Sequence, residues 1–217
     1  TLAHELNQPL AAISSYNTGC LNLIRQGDLP REELTGILEK IGRQAQRAAQ
    51  IIRRVHDFVR RREPNFVAAD FNAILREAVE LVEPTAERRG VSIDCDFTMP
   101  LPAVSADPVM IEQVAVNLIR NGMDAMADTP IDERRLQLRT ALRDGMVCLT
   151  VEDRGAGIPA DVAEKLFAPF FTTKSEGMGM GLNICRSIAE LHRGRLAYEA
   201  QPAGGTVFHF SVPVLQP

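Results

Sequence analysis

The chain has 217 residues, of which 45% are hydrophobic, and this composition predicts one or two domains with apolar cores. Residues 1–65 carry 10 basic and 7 acidic side chains, whereas residues 66–217 carry 14 and 21, so the second segment is too acidic to attract nucleic acid through its general field. The sequence has no run of 18 apolar residues and therefore predicts no membrane span. Its four cysteines are widely spaced, which predicts reduced thiols in a cytoplasmic protein rather than disulfides or a metal site.

The first 26 residues predict a helix with a chemically capable polar face. Its apolar positions recur at steps of three and four, with one polar interruption, at Leu2, Leu6, Leu10, Ile13, Asn17, Cys20 and Ile24. His4 lies two residues from Leu2 and from Leu6, about 200° around the helix, which predicts an exposed imidazole. Glu5 follows it, and Gln8 lies one turn further along the same face. Taken alone, a His-Glu pair is more often an ordinary solvated pair on a helix surface. A zinc-binding helix of the His-Glu-x-x-His type would need a second histidine at position 8, where this chain has Gln8.

A second helix with a continuous apolar stripe is predicted after Pro30. Its stripe has the heptad positions Leu34, Leu38, Ile41, Ala45, Ala48, Ile52, Val55 and Val59. Residues 27–30 predict a tight turn between the helices, and Pro9 predicts a kink in the first. Two antiparallel helices cannot bury both stripes by themselves, so we expect a homodimer that completes a four-helix bundle. Packing of the second helix on a neighbouring domain is the alternative.

The remaining sequence predicts alternating helices and strands. Asp70 is placed to cap the first of these helices, and residues 144–145 predict a hairpin turn. The predicted helices cover residues 71–89, 107–127, 160–167 and 181–192, and the predicted strands cover 91–97, 136–142, 146–153, 196–199 and 206–212. Helices and antiparallel strands in this order predict a two-layer α+β sandwich.

Two asparagines on the predicted helix 107–127 form the first candidate binding motif. Asn117 and Asn121 are one turn apart, so both amides project from one face. Amide oxygens are suitable Mg²⁺ ligands, and Mg²⁺ commonly keeps phosphate oxygens and waters as its other ligands. Alone, the pair is better explained as ordinary surface amides.

An acidic residue followed by two glycines forms the second motif, at the end of the strand 146–153. A carboxylate at Asp153 can accept a hydrogen bond from the exocyclic amine of adenine, whereas guanine presents a carbonyl there. Gly155 and Gly157 let the backbone approach a ring closely. Without other motifs, this sequence would be a simple turn.

A glycine-rich stretch before the helix 181–192 forms the third motif. Gly177, Gly179 and Gly181, followed by Leu182, offer bare amides at a helix start, which suits a polyphosphate, and Lys174 can supply a cation. The aromatic run 167–171 before it is either the hinge of a mobile lid or core packing. The stretch follows no strand and lacks Gly-Lys-Ser/Thr, which excludes a dinucleotide fold and a P-loop. Another glycine pair precedes Thr206 and predicts a turn.

Together and in this order, these motifs resemble those of the catalytic core of bacterial sensor histidine kinases, across essentially the whole chain. Residues 4–10 resemble the family's H box and 117–121 its N box. The G1, F and G2 boxes are matched, in that order, by 153–157, 167–174 and 177–182. The sequence of residues 4–10 and the Phe-Phe-Thr-Thr-Lys sequence at residues 170–174 are similar to those of the oxygen-sensor kinases of nitrogen fixation.

The resemblance implies a fold and a set of roles. Residues 1–65 would form a dimerization and histidine-phosphotransfer hairpin, and residues 66–217 an ATP-binding domain of the gyrase, chaperone, histidine kinase and MutL type. His4 would be the phosphoacceptor and Glu5 its acid/base partner, and Gln8 would position water for dephosphorylating a response regulator. Asn117 and Asn121 would hold Mg²⁺ and phosphate, and Asp153 would contact adenine. The other implied ATP contacts are Gly155, Gly157, Lys174, Gly177, Gly179, Gly181, Leu182 and Thr206.

The resemblance also implies partners outside this chain. The phosphoryl group would pass to an aspartate of a response regulator receiver domain, and no nucleic acid is expected. Because the chain begins three residues before His4, we expect a sensor domain upstream of it, with any membrane anchor there too.

Two departures and two rival functions remain at this point. Gly122 stands where the family usually has alanine after the second asparagine, which should weaken the helix slightly. Asp124 stands where many members carry Lys or Arg, which leaves more of the phosphate charge to Lys174. An ATP hydrolase or ATP-driven clamp of the same fold would need a glutamate one turn before the metal-binding asparagine, and Asn117 occupies that place. A non-enzymatic dimeric scaffold that binds ATP to change shape is the other rival.

Overall fold

The computed structural model describes residues 2–26, 31–61, 64–163, 165–168, 171–172, 180–201 and 204–215. The chain forms two compact units, Thr1–Pro64 and Asn65–Pro217. Within the described residues, no helix is both long enough and apolar enough to cross a membrane. The four cysteines are free thiols, of which Cys20 and Cys185 are buried, Cys148 is partly buried and Cys95 is exposed.

The first unit is a helical hairpin. Helix α1 spans Leu2–Gln26 and helix α2 spans Arg31–Arg61, both as the apolar periodicity predicts, while the predicted turn at 27–30 lies outside the described residues. The two helices contact each other, and Lys40 Nζ on α2 lies 5.9 Å from the centroid of the Tyr16 ring on α1. Pro9 is buried inside α1, and the kink predicted there remains a prediction.

Several large apolar side chains of the hairpin are exposed. Cys20 on α1 and Ala48 on α2 are buried. By contrast, the side chains that remain 42–55% exposed are Leu10, Leu21, Ile24 and Leu38. Leu10 and Ile24 belong to the apolar stripe predicted for α1, and the hairpin leaves both of them partly exposed. Among the described side chains of the hairpin, α1 carries three of these exposed residues and α2 carries one.

The second unit is a two-layer sandwich with a mixed sheet. Its helices are α3 (Phe71–Arg88), α4 (Pro108–Ala125), α5 (Ala160–Ala163) and α6 (Gly181–Leu191). Its strands are β1 (Val67–Ala69), β2 (Ser92–Phe97), β3 (Val104–Ala106), β4 (Arg135–Arg143), β5 (Met146–Asp153), β6 (Arg195–Ala200) and β7 (Thr206–Pro213). A 3₁₀ turn at Ile131–Glu133 precedes β4.

The main sheet has the strand order β2-β4-β5-β7-β6. The pairs from β4 to β6 are antiparallel, as predicted, but β2 and β4 are parallel, so the expectation of purely antiparallel strands was wrong. Parallel neighbours need a long crossover connection, and the chain between β2 and β4 supplies one through α4. Strands β1 and β3, which the sequence did not predict, pair separately.

Strand β5 runs through the middle of the sheet and carries the core. Val147, Leu149 and Val151 are buried, and the residues between them are partly exposed, which is the period of two expected of a strand with one covered face. Asp153 continues the buried series at the end of the strand. A carboxylate is thereby placed on the face of the sheet that α4 covers.

Local signals set the ends of several elements. Asp70 Oδ1 accepts a hydrogen bond from the Ala73 N–H, 3.1 Å away, and so caps α3 as predicted. Asp107 caps α4 by accepting from the Val109 and Met110 N–H groups. Asp144 and Gly145, at φ +49° and +73°, form the predicted hairpin turn between β4 and β5.

A buried histidine joins the start of α4 to the end of α6. His192 Nδ1 donates to the Ile188 carbonyl at 2.8 Å, and its Nε2 accepts from the Asp107 N–H at 3.1 Å. A backbone N–H only donates, so Nε2 is unprotonated in the fold. Burial lowers the pKa of His192, although its bond to Ile188 and the charge of Asp107 oppose the shift. The Phe66 ring lies 5.0 Å away.

We expect this histidine to make folding stability fall in mild acid. Its pKa in the fold lies below the unfolded value of about 6.5, so its stabilising effect is complete above that pH. The effect is lost between about pH 6.5 and the lowered pKa, at no more than about 1.4 kcal/mol per pH unit. His192→Gln should flatten the dependence of the unfolding free energy on pH across this range. His209→Gln on β7 is the control, and equal slopes in wild type and His192→Gln would contradict the assignment.

Candidate functional site

A cleft of about 560 Å³ opens in the second unit beside α4. Polar groups come from α4, from the end of β5 and from the start of β7, and apolar side chains form the remaining walls. The polar side chains on its walls are Gln113, Asn117, Asn121, Asp124, Asp153, Thr172 and Thr206. The size and the mixture of apolar walls with a few polar groups are typical of a small-molecule site.

One face of α4 supplies the amides. Asn117 and Asn121 both line the cleft, as their spacing of one turn predicts. The first residue of α6 lies against this face, since a Cβ placed on Gly181 would be 3.9 Å from Asn117 Cγ. The structure therefore brings the predicted amide pair and the start of α6 into one cavity, with the N-terminus of α6 beside the amides.

The carboxylate of Asp153 is buried and held in place. Its Oδ1 accepts a hydrogen bond from the Gly155 N–H at 2.8 Å, and the residue is 3% exposed. Gly155 must be a glycine, because a Cβ there would lie 2.4 Å from the Ala125 carbonyl oxygen. Gly205, at φ +93°, is packed more closely still, because a Cβ there would lie 2.2 Å from the Asp153 carbonyl oxygen. The hydrogen bond from Gly155 holds the carboxylate at the wall of the cleft.

Most of the predicted nucleotide contacts lie together. Besides the amides and Asp153, the cleft is lined by Gly157, Gly181, Leu182 and Thr206. Gly155 lies next to the wall rather than on it. Lys174, Gly177 and Gly179 lie outside the described residues.

The predicted phosphotransfer residues lie on α1 in the first unit. His4 and Glu5 are helical, but their side chains lie outside the part of the chain that is described in atomic detail. Gln8 is exposed, as its helical position predicts.

The sequence interpretation missed the apolar walls. They are formed by Ile158, Pro159, Val162, Leu166, Met180, Ile184 and Phe208, and Phe171 adds an aromatic ring. Gln113 was also missed, although it lies one turn before Asn117 and the helical period would have indicated it. The walls carry no local signal, because their residues come from separate segments. Apolar walls in the same cleft as Asp153 suit a purine ring.

Two family models match the chain, in the order of its two units. The His Kinase A (phospho-acceptor) domain matches residues 1–64. The histidine kinase-, DNA gyrase B-, and HSP90-like ATPase matches residues 106–216.

Curated relatives match the whole chain. It is 50% identical over 216 residues to the C4-dicarboxylate transport sensor protein DctS of Rhodobacter capsulatus, covering 100% of this chain and 33% of that protein. It is 42% identical to the sensor protein FixL of Bradyrhizobium diazoefficiens, covering 98% and 42%. The chain therefore spans between a third and about two fifths of the length of these relatives.

Solved structures show the same architecture. The catalytic domain of the histidine kinase ThkA matches with a TM-score of 0.62 at 31% identity, covering 69% of this chain and 96% of that one. ThkA in complex with the response regulator protein TrrA matches with a TM-score of 0.65 at 26% identity, covering 98% and 60%. Together with the two family models, these similarities show that the chain belongs to the sensor histidine kinase family, with its phosphoacceptor domain followed by its ATPase domain.

Proposed function

We propose that this chain is an ATP-dependent protein-histidine kinase core that phosphorylates His4 and passes the phosphoryl group to an aspartate of a response regulator. Residues 1–65 carry the phosphoacceptor and residues 66–217 bind ATP. The observation that carries the proposal is the single cleft in which Asn117, Asn121 and Asp153 lie together, in a chain that also has the phosphoacceptor domain.

The nucleotide is oriented by its two ends. Asp153, held by the Gly155 N–H, accepts from the exocyclic amine of adenine and so prefers ATP to GTP. The apolar walls enclose the ring, and the amides of α4, the N-terminus of α6 and the predicted contacts Lys174, Gly177 and Gly179 hold the phosphates. We assign residues 168–181 to a lid over the nucleotide, as the resemblance implies.

Mg²⁺ fits the donors on α4. Among the described residues there is no group of three or more His, Cys, Asp or Glu that would hold a metal ion alone. Asn117 and Asn121 offer amide oxygens, and Mg²⁺ commonly completes such a partial set with phosphate oxygens and water. When bound, it would neutralise charge on the phosphates.

In the transfer step, neutral His4 is the nucleophile. Its Nε2 forms a bond to the γ-phosphorus as the bond from that phosphorus to the bridging oxygen of the leaving ADP breaks. The Nδ1 proton of the resulting imidazolium passes to Glu5. With an unperturbed pKa of about 6.5, histidine is largely neutral at pH 7, which allows the attack.

A homodimer completes the proposed kinase. The exposed apolar side chains of Leu10, Leu21, Ile24 and Leu38 would be covered by the same hairpin of a second copy, which forms a four-helix bundle. We place this core in the cytoplasm, with its sensor domain in the part of the protein that lies outside this chain.

The fate of labelled phosphate tests the proposed function against its rivals. Incubation of the chain with γ-labelled ATP and Mg²⁺ should place label on the protein. Release of free labelled phosphate without protein label would indicate an ATP hydrolase. ATP binding with neither product would indicate a scaffold, and either result would contradict the kinase.

Gln8 supports a second activity, dephosphorylation of the regulator. It is exposed on α1, one turn after His4, where its amide would position water for attack on the aspartyl phosphate. Gln8→Ala should slow dephosphorylation of a phosphorylated receiver domain by at least about ten-fold. Autophosphorylation should be unchanged in the same variant, which serves as the internal control. An unchanged dephosphorylation rate would remove this role.

A further inference from the structure

The cleft carries negative charge on its own walls. Among the described residues that line it, two are carboxylates, Asp124 and Asp153, and none is lysine, arginine or histidine. Asp124 lies in the last turn of α4, where the helix dipole is also negative. A polyphosphate entering this cleft would be repelled by Asp124 unless a cation compensates for it.

Arg89 brings such a cation to the rim of the cleft. It is the C-cap residue of α3, and its Nη1 lies 2.5 Å from Asp124 Oδ1. The side chains of Arg89 and Asp124 are 47% and 33% exposed, so the pair lies at the boundary with solvent. At this distance from the cleft, both charges interact electrostatically with a bound anion.

Hydrogen bonds from Arg134 hold the backbone around this ion pair. Arg134 donates to the Arg89 carbonyl at 2.7 Å and to the carbonyls of Ala127 and Thr129, each at 2.8 Å. One guanidinium thus ties the end of α3 to the segment that follows α4. Arg89 is therefore held opposite Asp124 by contacts that do not involve its own side chain.

We propose that Arg89 is a positioning residue that cancels the charge of Asp124 and so allows the cleft to accept a polyanionic nucleotide. The proposal rests on the proposed function, since it takes a nucleoside triphosphate as the occupant. Arg89 acts through Asp124 on the phosphates and does not act on the base. Its loss therefore weakens binding of ATP and leaves binding of adenosine unchanged.

Calorimetric titration of the full chain with ATP and with adenosine tests whether Arg89 affects binding of the phosphates but not of the base. Arg89→Ala should weaken ATP binding by about five-fold, and more at low ionic strength. Adenosine binding should change by less than about two-fold. Arg88→Ala is the matched control, because Arg88 is the preceding residue and bonds within its own helix, to the Pro84 carbonyl and Thr85 Oγ1.

Removing the carboxylate gives effects of opposite sign. Asp124→Asn alone should strengthen ATP binding by about two-fold or more, because Arg89 is then uncompensated. Asp124→Asn combined with Arg89→Ala should return ATP affinity to within about two-fold of wild type. Thermal unfolding should show each variant to be folded, because an ion pair at the surface contributes little to stability.

Two results would overturn the proposal. The first is unchanged ATP affinity in Arg89→Ala, and the second is weaker ATP binding in Asp124→Asn. Failure of the wild-type chain to bind ATP would instead contradict the proposed function, so the two failures are distinguishable.

Discussion

Asp153→Asn is expected to weaken ATP binding by at least about ten-fold without unfolding the protein. The amide oxygen can still accept from the Gly155 N–H, so the loop after β5 keeps its anchor. The amide nitrogen, however, would place a donor against the exocyclic amine of adenine. A buried donor left without an acceptor costs about 1–3 kcal/mol, which corresponds to a loss of about five-fold to about 150-fold in affinity. Because Asp153 is 3% exposed, we expect a loss in the upper part of this range, at or above about ten-fold. Titration with ATP measures the effect.

The same substitution should change base selectivity. The introduced amide can donate to the carbonyl oxygen that guanine presents at this position, so the preference for ATP over GTP should shrink. Asp94→Asn is the matched control, because it makes the same chemical change at an exposed position of β2. Unchanged ATP affinity in Asp153→Asn would remove the role of Asp153 as the adenine contact.

His4→Gln should abolish autophosphorylation while leaving ATP affinity within about two-fold of wild type. Glutamine has no nucleophilic ring nitrogen, whereas the cleft that binds ATP lies in the other unit. The measurement is incorporation of label from γ-labelled ATP, with nucleotide titration in parallel. His209→Gln is the control and should still be labelled. Acid-labile, base-stable phosphate on His4→Gln would contradict the assignment of the phosphoacceptor.

Long periodic elements of this fold are predictable from sequence, whereas short ones and their pairing are not. Helices α1 and α2 repeat an apolar period over many turns, and strand β5 alternates over eight residues. Strands β1 and β3 have three residues each, too few to show alternation, and they depend on each other for hydrogen bonds. The parallel pairing of β2 with β4 follows from the path of α4, which no local pattern indicates.

The polar part of the cleft is likewise easier to predict than its surroundings. Asn117 and Asn121 share a helical face, so their convergence follows from spacing. Gly122 lowers the helix propensity of α4, but the packing around it favours a residue without a side chain. A Cβ there would lie 2.3 Å from Leu136 Cδ1 and 3.3 Å from Asp153 Cβ. The contact of Arg89 with Asp124, 35 residues apart, also arises only from packing.

The site of phosphorylation tests the central claim most directly. The chain has four histidines, His4, His56, His192 and His209. After incubation of the unmodified chain with ATP and Mg²⁺, digestion and mass spectrometry at alkaline pH, which preserves phosphohistidine, should locate the added phosphate on His4. Phosphate on another residue, or an unmodified peptide containing His4 while ATP is consumed, would contradict the account.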